Sequence, residues 1–178
     1  MLHLEKIRRL STFMQAATIV GLVGLPLLLV GLWLLSPDTY WAAPELRAVR
    51  RTNPEFPLPL RLAAAAITLA AAGPLLFGLD QLRRLFALYR TGQVFVPDGA
   101  QRLRAFAWAV ILMAIVQPIA GAVLSVVLTL DNPPSERMLS ISIGSGQVQT
   151  LFVGVLFLVI ATIMREATRI ADENAQII

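Results

Sequence analysis

Four long apolar runs, separated by polar and basic stretches, organise the chain. They cover residues 11–35, 58–79, 105–130 and 143–164. At a rise of about 1.5 Å per residue, a helix of about 20 apolar residues crosses a hydrocarbon core of about 30 Å. The pattern therefore predicts an all-α integral membrane protein with four transmembrane helices in a single domain, residues 1–178.

The four runs predict spans of different kinds. The first, which follows the basic start "EKIRRL", exceeds the apolar core of a secretory signal and is predicted to be an uncleaved signal anchor. The second needs Arg61 at the membrane interface, and its alanines and glycines suit close helix packing. The fourth is short, "TLFVGVLFLVIATIM", so it is predicted to begin at membrane depth between Ile143 and Gln147.

Helical periodicity continues beyond the second run. One side of this stretch carries Leu79, Leu82, Leu85, Phe86 and Tyr89. Gly92 is placed to end the helix in a left-handed conformation. A second helix is predicted to start with Asp98 as N-cap and Gln101 three residues later, the spacing of a capping box. Helices two and three are therefore predicted to extend into a hairpin over residues 80–104, followed at the chain end by a tail, residues 165–178.

Basic residues predict which side of the membrane each loop faces. The N-terminus, the hairpin and the tail together hold ten lysines and arginines, and the two other loops hold five. Because cytoplasmic loops carry the excess of basic residues, both termini and the hairpin are predicted to be cytoplasmic. The first outer loop opposes this bias with four arginines. It is interpreted either as a short interfacial helix or as an extracytoplasmic sensing surface.

Composition supports the bilayer as the main partner. Apolar residues make up 57% of the chain and the mean hydropathy is +0.72, which is too apolar for a soluble core. A net charge of +4 would suit nucleic acid, but the basic residues cluster at the ends of apolar runs. Phe86 and Tyr89 share the leucine face, so they are not available to stack on bases. Anionic headgroups are the expected partners of the arginines, and direct nucleic-acid binding is not expected.

The sequence contains no convincing catalytic or metal-binding set. There is no cysteine, and the one histidine, His3, lies near the N-terminus without a second ligand. The stretch "SIGSGQ" does not match the G-x-S-x-G pattern of a nucleophile elbow. We therefore expect a non-enzymatic protein without a cofactor.

Intramembrane polar residues are few and uncharged. The most central is Gln117, which precedes the kink residue Pro118. An interhelical contact of its amide is favoured over the lining of a cavity. Pro26 and Pro74 predict two further kinks. Five intramembrane glycines are predicted to allow close helix contact: Gly21, Gly24, Gly31, Gly121 and Gly154.

The stretches "LRRLFALYRTGQVF" and "LRAFAWAVIL", together with the ending "REATRIADENAQII", resemble a family of bacterial membrane proteins filed under domain of unknown function 2975. The resemblance covers most of the chain from Leu79 onward. It implies a small four-helix protein of the bacterial inner membrane, often encoded beside a helix-turn-helix regulator, which would be a cytoplasmic partner. It carries over no catalytic or binding residue.

The leading functional hypothesis is a membrane adaptor or sensor that acts on a cytoplasmic or membrane partner, with a small channel or transporter subunit as alternative and a homo-oligomer kept open. The tail is amphipathic and is predicted to dock on the hairpin, with a solvated tail held by its own ion pairs as an equal alternative. The candidate docking residues are Leu82, Arg83, Arg84, Phe86, Tyr89, Arg102, Arg104, Glu166, Ile170 and Glu173.

Overall fold

A computed structural model describes residues 2–35, 57–93, 96–130 and 132–175. Most of these residues are helical, with no strand among them. The five α-helices are α1 (Leu2–Leu35), α2 (Leu58–Ala71), α3 (Gly73–Arg90), α4 (Pro97–Thr129) and α5 (Ser145–Ala175), and a 3₁₀ turn covers Pro134–Glu136. The first outer loop, with its predicted interfacial helix, lies outside the described residues.

Three helices are long and apolar enough to cross a membrane, and a fourth crossing is present if one bent helix pair counts as a span. The three are α1 from Arg8 to Leu35, α4, and α5 from Ser145 to Ile170. The bent pair is α2 with α3. The prediction of an all-α membrane protein is therefore confirmed for the described residues, with three or four helical segments able to span a membrane, and the predicted number of four spans stays a prediction. The placement of the termini stays a prediction.

The second apolar run is not one helix. It breaks at Ala72, where α2 ends, and the axes of α2 and α3 differ by 44° across the break. Pro74 follows at the second position of α3, where its missing N–H costs no helical hydrogen bond. The kink expected at Pro74 is confirmed. By contrast, α1 and α4 continue as single helices through Pro26 and Pro118.

One predicted helix start needs correction. The third helix was expected to be capped by Asp98, but α4 begins at Pro97, and the acid lies inside the first turn. The proline ring already holds the φ angle of a first helical residue, so the helix starts before the acid. The last helix begins at Ser145, within the predicted range from Ile143 to Gln147, and it continues without a break into the tail.

The chain divides into two compact units. The first unit contains Met1–Val23, Pro74–Leu112 and Gln149–Ile178, and the second contains Gly24–Gly73 and Met113–Val148. Each unit has a separate apolar core. The first unit therefore holds the whole predicted hairpin and tail, whereas the second holds α2 and the segment between α4 and α5.

The core of the first unit joins α3, α4 and α5. Leu85, Leu103 and Ala161 are its buried residues. The partly buried side chains around them are Leu82, Tyr89, Phe106, Phe157 and Met164. Phe106 and Phe157 meet edge to face, with ring centroids 5.1 Å apart. Gly78 brings α3 close to α4, because a Cβ there would lie 3.2 Å from that of Ala109.

The core of the second unit forms around one indole ring. Trp33 is 1% exposed and packs with Ala64, Ala65, Leu124 and Leu128. Its Nε1–H donates to Thr68 Oγ1 at 2.9 Å, and Thr68 Oγ1 donates to the Ala64 carbonyl at 2.8 Å. The tryptophan N–H is therefore satisfied by a side chain of the neighbouring helix within the core of the unit.

Candidate functional site: the arginine hairpin

The end of α3 and the start of α4, which are predicted to form the hairpin, contact each other, and we call residues 80–93 and 96–104 the arginine hairpin. Its first helix, α3, ends in the way that the sequence predicts. Gly92 has φ +83°, and its N–H donates to the Tyr89 carbonyl at 3.1 Å. The next amide, that of Gln93, donates to the Leu88 carbonyl at 3.1 Å. This pair of bonds is a Schellman motif, which satisfies the last carbonyls of α3 and stops the helix.

The second helix of the arginine hairpin starts against the first. The Gly99 N–H donates to the Val96 carbonyl at 3.0 Å within the first turn of α4. Gly99 is buried, and a Cβ there would lie 3.6 Å from Leu85 and 3.8 Å from Tyr89. The two helices of the arginine hairpin are therefore in direct side-chain contact beside the turn.

A polar contact joins the two helices further from the turn. Arg102 on α4 donates through Nη1 to Gln81 Oε1 on α3 at 3.2 Å. Gln81 is 6% exposed, so its amide oxygen is satisfied inside the unit. The Arg102 Nε lies 3.3 Å from Asp98 Oδ1, an ion-pair distance without hydrogen-bond geometry. Arg102 therefore has a structural role between the helices.

Asp80 neutralises part of the charge on α3. Its Oδ1 accepts from Arg83 Nη2 at 2.7 Å, and its Oδ2 lies 2.7 Å from Arg84 Nε. One carboxylate thus orients two guanidinium groups one turn away. Arg90, beside the turn, is exposed, and so is Arg104, the last residue of the arginine hairpin. The arrangement offers several oriented cations to an acidic partner or to anionic headgroups.

The predicted apolar stripe of α3 meets α5, but one to two turns earlier along α5 than the tail prediction placed it. Leu82 and Tyr89 pack against the core of the first unit. The Tyr89 hydroxyl donates to Met164 Sδ at 3.8 Å. Phe86 is half-buried and meets Tyr89 edge to face at 6.4 Å. The described contacts between α5 and this stripe therefore come from the apolar run of α5, before residue 165.

The tail itself shows its own ion pairs. Arg169 pairs with Glu166 and, at 2.8 Å, with Glu173, as the solvated-tail alternative expects. Thr168 is buried and bonds to the Met164 carbonyl at 2.9 Å, whereas Ile170 is 48% exposed. Docking of Ile170 on the hairpin stays a prediction.

The intramembrane candidate Gln117 has a different environment from the one expected. Helical phase puts it on the side of Ala114 and Leu124, both buried, yet Gln117 is exposed. The interpretation of its amide as an interhelical contact stays a prediction, and Pro118 beside it leaves α4 continuous.

Several contacts were missed by reasoning from the sequence. Gln81 was not singled out, although it precedes the buried Leu85 by four residues and so lies on the inward side of α3. Met164 and Thr168 follow the buried Ala161 by three and seven residues, which places them on the same face of α5. Within the described ranges, no group of three or more His, Cys, Asp or Glu residues could hold a metal ion.

The family model described as "Protein of unknown function (DUF2975)" matches residues 38–178. No curated protein and no solved structure matches the chain. The match includes α2, α3, α4 and α5, and therefore the whole arginine hairpin.

Proposed function

Since the chain belongs to the DUF2975 family of proteins of unknown function, we propose that it is a non-enzymatic, multi-pass protein of the bacterial cytoplasmic membrane that acts as an adaptor or sensor. Both termini and the arginine hairpin face the cytoplasm in this proposal. The partner is a cytoplasmic or membrane protein, with a helix-turn-helix regulator as the first candidate.

The order of the arginine hairpin is the observation that carries the proposal. A Schellman turn closes α3, and the bond from Arg102 to Gln81 ties the two helices together. Basic side chains are therefore held on a defined helical frame. A surface that is ordered before binding loses less conformational entropy when a partner docks. Nonspecific attraction to anionic headgroups would need only the positive charges and not this ordered helical frame.

The distribution of basic residues supports the proposed orientation. The N-terminus, the hairpin and the tail carry ten, against five elsewhere. Positive residues in short loops are retained on the cytoplasmic side during insertion. The arginine hairpin thus meets cytoplasmic partners and the anionic inner leaflet in the same place.

Labelling tests the orientation. The chain contains no cysteine, so single cysteines can be introduced at positions 52 and 93 without prior substitution. A membrane-impermeant maleimide should reach position 93 only from the cytoplasmic side and position 52 only from the opposite side. The reverse pattern would reject the proposed orientation.

Crosslinking in native membranes tests the adaptor role. A photo-crosslinking amino acid replaces the exposed Arg104 in the hairpin, and the control replaces Val126, which is exposed on the apolar part of α4. A defined protein adduct should form from position 104 and not from position 126. The same adducts from both positions, or lipid adducts alone from position 104, would contradict an adaptor.

One observation favours a channel or transporter subunit as a second candidate. Gln117 exposes an amide within the long uncharged run of α4. A polar group in that place suits an aqueous path. Solute flux through reconstituted protein, reduced by Gln117→Leu but unchanged by Gln101→Leu, would place transport ahead of the adaptor role.

A further inference from the structure

The segment between the 3₁₀ turn and α5 runs back along the end of α4. We call residues 138–144 the strap. The Met138 N–H donates to Thr129 Oγ1 at 3.1 Å, and the Ser140 N–H donates to Ser125 Oγ at 2.9 Å. Both accepting side chains are fully buried. Two hydroxyls of α4 therefore anchor an extended backbone.

The spacing of these two bonds sets the direction of the strap. Two residues of extended chain advance about 6.6 Å, and four residues of α-helix advance about 6 Å. The steps from 138 to 140 and from 129 to 125 thus match in length and run in opposite senses along the chain. The strap is antiparallel to α4 and returns beside its last turns.

Side chains of the strap alternate between two environments. Leu139, Ile141 and Ile143 are 68%, 63% and 74% exposed. Met138, Ser140 and Ser142, which alternate with them, are half-buried. The strap contains no charged residue. One of its faces is therefore a continuous apolar ridge.

If α4 spans the membrane, the strap lies at the depth of its last turns. This helix qualifies as a membrane span, and its Val123, Val126 and Leu130 are exposed. Ser125 lies five residues before the end of the uncharged run at Leu130, which is about 7.5 Å inside it. The hydrogen bond from the Ser140 N–H to Ser125 therefore holds the strap beside the apolar run of α4 and not beyond its end.

We propose that the strap is seated in the bilayer, with Leu139, Ile141 and Ile143 in contact with lipid acyl chains. Extended backbone is tolerated at such a depth only where the protein supplies hydrogen-bond partners. Thr129 and Ser125 accept from two of its amides, and Gln147 Oε1 accepts from the Gly144 N–H at 2.8 Å. The last crossing then consists of the extended strap followed by α5.

Spin labels on single cysteines test this arrangement in the full-length protein in lipid vesicles. Labels are placed one at a time at positions 139 to 143. Accessibility to oxygen, which concentrates in hydrocarbon, is compared with accessibility to a water-soluble nickel chelate. Labels at 139, 141 and 143 should be reached by oxygen and lose contact with the chelate, while 140 and 142 should be reached poorly by both.

Two positions in the same unit calibrate the readout. Val126, exposed on α4, reports lipid, and the exposed Ser135 in the 3₁₀ turn reports water. Chelate access at 139, 141 and 143 equal to that at 135 would overturn the proposal. Poor access to both reagents at these three positions would also overturn it, because a second protein copy would then cover the ridge. Position 126 shows separately whether α4 itself is inserted.

A second pair of variants tests the anchor. Ser125→Ala combined with Thr129→Val removes both acceptors, and the alternation along positions 139 to 143 should be lost. Thr162→Val is the matched control, because the exposed Thr162 hydroxyl bonds only within its helix turn, to the Leu158 carbonyl at 2.9 Å. Alternation that survives in the double variant would show that these hydroxyls do not seat the strap. The labels in the otherwise native chain keep the proposal testable if the double variant does not fold.

Discussion

The two units hold their helices together by different means. In the first unit, small residues let backbones approach, since a Cβ on Gly154 would lie 2.7 Å from Ile111 Cγ1 and 3.1 Å from its amide nitrogen. In the second, hydrogen bonds from Trp33 and to Ser125 join one segment to another. Within lipid, apolar surface alone gives helices little reason to associate, so close packing and polar bonds are the remaining choices. Among the described contacts, the closest backbone approach at Gly154 lies in the first unit, whereas the hydrogen bonds of Trp33 and Ser125 lie in the second.

Gly154→Ala is the sharpest way to break the first unit. The new methyl group would collide with the α4 backbone, and we expect a loss of about 1–3 kcal/mol in the free energy of unfolding. Unfolding in mixed detergent micelles measures it. Gly24→Ala is the control, because nothing lies within 4 Å of its Cβ position and helix propensity should stabilise it by up to about 1 kcal/mol. Equal effects of the two substitutions would show that close packing at Gly154 does not stabilise the first unit.

Trp33→Phe addresses the second unit. It removes the indole N–H and part of the buried ring, so the expected loss in unfolding free energy is about 1–2 kcal/mol. The same micelle assay applies. Trp108 is 52% exposed, and Trp108→Phe should leave the unfolding free energy almost unchanged. If Trp33→Phe were as mild as this control, the hydrogen bond to Thr68 would not be a main support of the unit.

Gln81→Leu asks whether the first unit also depends on a polar bond. The substitution leaves Arg102 without its cross-helix acceptor, and we expect a loss of about 0.5–1.5 kcal/mol. Thermal unfolding followed by circular dichroism measures the change. Gln101→Leu, at an exposed position on α4, should have no comparable effect. A neutral or stabilising Gln81→Leu would mean that close packing alone holds the hairpin.

Arg169→Gln has the smallest expected effect. The ion pairs with Glu166 and Glu173 are solvent-exposed, so their loss should leave the unfolding temperature unchanged within error. Arg165→Gln serves as the control. A clear destabilisation by Arg169→Gln alone would show that the tail is held by more than its own turn of helix, and would favour docking.

Local rules predicted the parts of the fold that depend on local chemistry. The end of α3 follows from one glycine, because only a residue free to adopt positive φ at position 92 allows the Schellman bonds. Leu85 was placed on the inward face by periodicity alone, and it is buried. The family was also identified from the residues of the hairpin and the tail.

Contacts between segments were harder to predict, because a composition that permits a contact does not say where the partner lies. Gly24 and Gly31 were expected to allow close helix contact, yet nothing lies within 4 Å of either Cβ position. Gly154 has the same residue type and a very tight contact. Likewise, the sequence around Ser125 does not reveal that its hydroxyl accepts from the Ser140 amide of the strap. The difference lies in the neighbouring segment, which one helix's periodicity does not reveal.

Arg61 has a consequence for how the protein is made. Its Nη1 donates to the Leu34 carbonyl at 3.2 Å, at the C-terminal end of α1, where the helix dipole favours a cation. Arg61 is one of the five basic residues outside the segments proposed to be cytoplasmic, but its guanidinium group is hydrogen-bonded to a neighbouring helix. Arg61 reaches the Leu34 carbonyl only once α1 lies beside α2. We therefore expect the first two apolar segments to leave the insertion machinery as a pair, because the C-terminal end of α1 accepts a hydrogen bond from the charged side chain that α2 carries.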